Sequence, residues 1–575
     1  MKIQKQTTPF KKWVAAVMTV CVFAAVSLAG CRIPVGDDID PTKTQVYVMN
    51  MYGGLRDNWL QDVKTRFETA YAETSCEQGK KGVQVQIDNT GYTGTNLLVN
   101  MADLPNEVFF TEGVFYYQFI QRNFFADITD MVREPLAAYG EERSIEDKLS
   151  ADNKEYFETG DGKYFALPFY EAYSSIAYDI DLFEEKSFYL AKNGAPSEAL
   201  QQGGVFTAYK FTAFGDKSAG PDGVYGTGDD GLPATYDEFF AMCDKMAEGG
   251  VRPIVWPGGH QDYLNEMATM LAADYEGAEK MKVNYTLNGD GVDIVTFFSG
   301  DTPVTTPVDI RNGNGYLMYN QPGRYYALDF VKRIVSGGYY DPDSFSSATT
   351  QMNAQEDFLY GRFSSKKRKV AMIADGTWWQ NEASDIYSLM EEQYGPDASK
   401  SARRIGLMPL PKATAGKIGS EPVYLTTKHC AGFVNATATG DKLAVAKKFL
   451  QFVHTDESLA RFTQIVNMPK PYNYDMTEAQ LAEMTLYGRA LYEAHAAGNV
   501  VCSYSTNPIF LSSPSDFAAS NCWNTQTPYG PYKIISNAFY NESRLTARAY
   551  FDGLLTAHSQ SAWQTLYGGY FSYNA

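Results

Sequence analysis

Apolar positions along the chain follow two periods, and each period marks an element. Gln45-Val46-Tyr47-Val48-Met49 reads as a strand, and Val83-Gln84-Val85-Gln86-Ile87 alternates cleanly as a second. Glu107-Val108-Phe109-Phe110 is a third, followed by a helical pattern over 114–122. Between the first two strands, Tyr52-Gly53-Gly54 leads into a helix over 58–72, where Trp59, Leu60, Val63 and Phe67 recur at helical spacing. Farther on, 330–336 and 442–452 are helical, while 370–373 and 404–407 are strand-like. Strands alternating with amphipathic helices predict an α/β architecture. No tandem repeat of solenoid or propeller period interrupts it.

The N-terminus departs from this rhythm. Lys11-Lys12 precedes an apolar run over 13–30 that ends in Ser27-Leu28-Ala29-Gly30-Cys31. A basic segment, an apolar segment and small residues before a break form a secretory signal over 1–30. The Leu-Ala-Gly-Cys ending resembles the bacterial lipobox, in which Cys31 is acylated (palmitate-type chains) and becomes the new N-terminus. The run is also long enough to span a bilayer, but no basic stop follows it. Residues 31–43 then read as a polar tether.

The composition adds exclusions. The chain of 575 residues has room for several domains, and its 44% hydrophobic content rules out a disordered or fibrous protein. Net charge is −19; loss of the first 30 residues, which hold four lysines and no acid, makes it −23. Such a surface repels phosphate backbones and argues against a nucleic-acid partner. Of seven cysteines, Cys76, Cys243, Cys430, Cys502 and Cys522 remain beyond the signal and Cys31. No CxxC occurs, so there is neither a zinc framework nor a disulfide scaffold; at most two bridges are possible, with Cys502–Cys522 the nearest pair. The five histidines form no HExxH pair, and no P-loop or dinucleotide loop is present. Glycosidase-like carboxylate pairs stay open, because 68 acids put some close together, yet nothing marks a particular pair.

Five blocks in order resemble the extracytoplasmic solute-binding proteins of bacterial carbohydrate ABC importers, the family that includes maltose-binding protein. They are Gly162-Lys163-Tyr164-Phe165-Ala166-Leu167-Pro168 running on to Tyr178-Asp179 and Asp181-Leu182-Phe183; Pro233-Ala234-Thr235-Tyr236-Asp237-Glu238; Phe358-Leu359-Tyr360-Gly361 with Met372-Ile373-Ala374-Asp375-Gly376-Thr377-Trp378; Gly406-Leu407-Met408-Pro409; and Ala446-Lys447-Lys448-Phe449-Leu450. Tyr178-Asp179 stands where Tyr-Asn is usual, and Tyr236 replaces the commoner Trp. The resemblance implies two α/β lobes with a ligand cleft between them: lobe one over 44–168 plus 413–466, lobe two over 173–406 plus 470–575. The crossings then fall near 168–173, 408–412 and 467–472, each containing proline, which favours extended backbone. The implied function is a monomeric, non-catalytic receptor, lipid-anchored outside the membrane, that delivers an oligosaccharide to ABC permease subunits. The alternative is a lipid-anchored glycan-active enzyme, or a surface glycan-capture protein independent of an importer.

In open α/β sheets ligands sit beyond the carboxyl ends of strands. That places Tyr52 and Trp59, Phe110 and Glu112, and Asp375 with Trp378 and Trp379 near the cleft, with Tyr170 and Tyr173 at the first crossing and Trp256 and His260 on a Pro-Gly-Gly turn. Aromatic faces stack on sugar rings, and carboxylates accept from hydroxyls. The competing reading of the aromatics, strongest for Trp59 and Phe110, is core packing. Trp523 is open between a cleft and a packing role. Within an insertion over 215–231, Asp222, Asp229 and Asp230 form a glycine-rich loop resembling calcium-type loops of exported proteins, with a solvated acidic turn as the alternative. No cofactor is expected for function.

Overall fold

The computed structural model describes residues 39–194 and 209–574. The signal and Cys31 lie outside the described residues, as does 195–208 within the chain. Lobe one is built on a five-stranded sheet in the order Val83–Asp88, Thr44–Asn50, Val108–Glu112, Cys430–Val434, Leu167–Pro168. The first three strands run parallel, with Val46 opposite Val85 and Val48 opposite Val108. Cys430–Val434 runs antiparallel to both neighbours. Helix Asn58–Ala70 buries Trp59, Leu60, Val63 and Phe67 beside this sheet, and helices Gly440–Val453 and Asp456–Val466 pack in the same lobe.

Lobe two holds a four-stranded sheet in the order Ile405–Met408, Ser174–Asp179, Val370–Gly376, Arg252–Val255. Every residue of Ser174–Asp179 and Val370–Gly376 is buried, as strands covered on both faces must be. Helices Asp262–Glu276, Gln351–Tyr360 and Leu486–Ala496 supply that cover. The strands and helices anticipated from periodicity appear within a few residues of their expected ends, except that the helix expected over 330–336 begins eight residues earlier, as Pro322–Gly337. A long hairpin, Gly289–Ser299 with Thr302–Ile310, is added to lobe two. In the C-terminal segment, helix Ala547–Ala557 packs on helix Pro322–Gly337.

The chain passes from lobe one to lobe two at 169–173, between strands Leu167–Pro168 and Ser174–Asp179. The return differs from the expected 408–412. Lys412 stays with lobe two, where its ammonium meets Asp274 at 2.7 Å and its carbonyl accepts from the Tyr236 N–H. Tyr424–Leu425 still pairs with Val500–Val501, and the crossing follows at 426–429, ahead of Cys430–Val434. Lobe one therefore resumes near 430 and not at 413. Pro409 and Pro411 end a strand without moving the chain between lobes. The third crossing follows helix Asp456–Val466, with Tyr472 still donating to the Pro168 carbonyl at 2.7 Å. By Tyr487 the chain is on lobe two, its hydroxyl 2.6 Å from that of Ser175.

Candidate ligand-binding site

The carboxyl ends of the strands in both lobes face one another across a cavity of about 200 Å³. Lobe one contributes the loop after its first strand (Met51, Gly53, Gly54, Leu55) and Glu112 at the end of its third. Lobe two contributes Tyr263, Trp378 and Glu382, and the crossings contribute Tyr170 and Lys428. Trp378 is the aromatic wall. Its indole folds back over the end of its own strand and lies against the loop of lobe one, so a Cβ on either Gly376 or Gly54 would collide with the ring. Tyr263 meets it edge-on at 6.2 Å, and the Lys428 ammonium lies 5.1 Å from the ring centroid.

Around this wall the lobes are held together. Asn381 donates to the carbonyls of Gly54 and Leu55 at 3.1 and 2.7 Å. Arg56 reaches across to the Glu382 carbonyl at 3.0 Å and to Asp385 at 2.8 Å. With Trp378 only 8% exposed, the lobes are in a closed arrangement.

Acidic groups dominate the electrostatics. Glu266 lies 3.6 Å from Lys428, and burial raises its carboxyl above the usual range against the pull of that ammonium. Burial works against the charge of Lys428 too, but Glu266 and Glu112 outweigh it and raise its pKa. Gln355 donates to both Asp375 and Glu382, at 3.1 and 2.8 Å. Burial, then repulsion from Glu382, drives Asp375 well up; Glu382 is itself raised by burial. Tyr170 donates a hydrogen bond to Glu112.

A second cavity, of about 320 Å³, shares Tyr170 and Lys428 with the first and lies on their other side. Its walls include the His495–Glu171 pair at 3.0 Å and the interlobe Lys282–Asp152 pair at 2.9 Å. Tyr504 bonds to Asn153 and packs on Tyr156 of lobe one at 4.2 Å.

The residues named from sequence therefore divide. Glu112, Tyr170 and Trp378 line the first cavity. Tyr52, 37% exposed, borders the same loop and accepts from Arg56, while Asp375 is buried beneath the site. Trp59 and Phe110 belong to the lobe-one core, their rings 5.2 Å apart. Trp256 packs on Phe345, Trp379 on Phe358 and Tyr173 on Tyr424, all fully buried. Trp523 is likewise interior, donating to Thr269 at 2.9 Å. His260 sits exposed near Tyr263. The five cysteines are free thiols, with no Cys502–Cys522 bridge. In the acidic loop, Asp222, Asp229 and Asp230 accept hydrogen bonds from the loop's own N–H groups, and no set of three metal-ligating side chains converges among the described residues. Lys428, Glu266, Glu382 and Tyr263 were not anticipated. The four-residue spacing of Asp262 and Glu266, which puts both on one helix face, is a sequence signal that points toward this acidic patch.

Two lobes joined by three crossings, closing on a cavity at their strand ends, define a bilobal ligand-binding receptor. The sequence model of the bacterial extracellular solute-binding proteins matches residues 73–485, and the chain belongs to that family. Solved structures share the fold at low identity. A protein from the study of xylan utilization by the thermophilic bacterium Caldanaerobius polysaccharolyticus superposes with a TM-score of 0.53 at 13% identity, covering 89% of this chain and 99% of its own. The GacH receptor of Streptomyces glaucescens, solved unliganded and with acarbose, gives 0.50 at 12%, covering 92% and 99%. A chitin oligosaccharide binding protein gives 0.50 at 15%, covering 92% and 100%. No curated protein sequence matches the chain.

Proposed function

We propose that this protein is the substrate-binding receptor of an ABC importer, capturing an oligosaccharide between its lobes and presenting it to the permease without chemical change. The observation that carries the reading is the cavity at the strand ends, where one indole, Trp378, stands beside carboxylates from both lobes. A sugar ring offers C–H faces to the indole and hydroxyl donors to Glu112 and Glu382. Contact with both lobes favours the closed state by as much as the ligand binds that state better. Proteins of the same fold that bind acarbose or chitin oligosaccharide support the choice of a saccharide. Family membership supports a place outside the cytoplasm, and no helix among the described residues is long and apolar enough to cross a membrane. Attachment is through acylated Cys31.

Calorimetry of the mature protein against a saccharide panel tests the reading. Stoichiometric binding with the ligand recovered intact supports it. Hydrolysed product accumulating beyond one equivalent would instead make the protein a glycan-active enzyme, and binding of no saccharide would overturn the reading.

A further inference from the structure

We propose that the saccharide taken by this cleft carries a free amine, whose ammonium sits between Glu112 of lobe one and Glu382 of lobe two. The inference rests on the saccharide-receptor reading and narrows it to amino-sugar ligands.

The starting observation is an imbalance that closure itself creates. Glu112 ends a strand of lobe one and Glu382 ends the short helix after Trp378 in lobe two, and both line the same cavity of about 200 Å³. Neither makes an ion pair among the described residues. Glu112 is met by the Tyr170 hydroxyl and Glu382 by the Gln355 amide, both neutral donors. The nearest arginine, Arg56, directs its guanidinium to the Glu382 carbonyl and to Asp385. Each time the lobes close, two carboxylates are brought toward each other in a partly desolvated space, where like charges repel more strongly than in water. At Glu382 burial raises the carboxyl, the Gln355 amide and the charge of Arg56 oppose that rise, and the charge of Glu112 adds to it.

Lys428, the one cation lining the cavity among the described residues, compensates only part of this charge, because it is shared between Glu266 at 3.6 Å and Glu112 while its ammonium rests over Trp378. Asp262, Glu266 and Glu382 also act on the Tyr263 hydroxyl beside it, so the acidic side chains outnumber the cation on this side of the indole. A neutral sugar hydroxyl donates one hydrogen bond to a carboxylate and leaves both charges in place. An ammonium carries three donors and a full positive charge, so it bridges two carboxylates while neutralising them. Against Trp378 it adds the attraction of a cation for an aromatic face, the contact Lys428 already makes there.

Calorimetry with matched probes tests this. The pairs are de-acetylated and acetylated chitin tetrasaccharides, with cellotetraose as their hydroxyl counterpart, and glucosamine, galactosamine and mannosamine each against its parent sugar. The expected result is that the amine member of at least one pair binds about tenfold or more tightly than its neutral counterpart at low salt, an advantage that shrinks as salt is added. Glu112→Gln and Glu382→Gln should each reduce that ratio several-fold, the ratio within a pair being the readout. Equal affinity within every pair, with neutral sugars bound, would overturn the inference and leave the receptor reading standing. Binding of no saccharide would remove both. Calcium chloride alone binding the site and closing the lobes, followed by X-ray scattering, would overturn the inference in favour of a metal between the two carboxylates.

Discussion

Lys470→Met should make this protein more stable. The lysine lies in the third crossing, fully buried, and its ammonium has no hydrogen-bond partner among the described residues. Four rings surround it, Phe462 at 4.8 Å, Phe169 at 5.0 Å, Trp59 at 5.5 Å and Phe110 at 5.8 Å. Burial lowers its pKa from 10.5 to about 7. Between those two values the unfolded chain holds a proton that the native state has released, so the lysine's contribution to stability improves as pH rises through that window. Below pH ~7 both states are charged and the full penalty is present, about 5 kcal/mol at ~1.4 kcal/mol per pH unit. Attraction to the rings offsets ~0.5–1 kcal/mol for each, leaving a net penalty of about 1–3 kcal/mol. Methionine keeps the length, removes the charge and packs well against aromatic rings. The variant should therefore melt a few degrees higher near neutral pH. Its advantage should fade as pH approaches ~10, because native Lys470 is by then neutral while the unfolded chain is losing its own proton. His454, buried nearby and held neutral, does not titrate in this window. Circular-dichroism melts of both proteins from about pH 6 to pH 10 read the difference. A variant less stable by the same amount at every pH would show that the rings hold the charged lysine favourably, and the reasoning would fail.

Three further outcomes are expected. Trp378→Ala should weaken ligand binding by roughly 1–3 kcal/mol, about tenfold to a hundredfold, with little change in melting of the unliganded protein; a lowered melting temperature with unchanged affinity would make the indole a core residue. Gly54→Val should place a side chain in the volume of the Trp378 indole, so X-ray scattering should show lobes that stay apart and calorimetry at least about a tenfold loss of affinity; wild-type closure would refute the packing described. Cys31→Ser should release the protein from membrane fractions, since a polar tether offers no other attachment, and unchanged fractionation would contradict lipidation.

The elements were legible because their signals are local. Val83–Asp88 alternates and helix Asn58–Ala70 repeats its apolar face within one or two turns, so a short window suffices. The cleft was legible only in part, because an aromatic residue at a strand end serves a core as readily as a ligand. Trp59 and Trp378 both come after a strand and a glycine-bearing turn, yet one packs among Phe110, Phe169 and Phe462 while the other walls the cavity. What separates them is distant in sequence: Trp378 needs the missing side chain of Gly54, more than three hundred residues away, to lie against lobe one. The crossings show the same limit. Prolines at 409 and 411 predict extended backbone correctly, but a strand end and an interlobe connection share that conformation. The true return at 426–429 contains no proline and is set by the pairing of Tyr424–Leu425 with Val500–Val501, a segment beyond the family match. Lys470 had no signal at all, since a lysine between two prolines reads as surface until four aromatic rings from four separate segments close around it. Charge follows the same logic. Glu112 and Glu382 are unremarkable in their own segments and come to line one cavity only where the lobes meet, so a pair of this kind belongs to the closed state and not to either lobe alone.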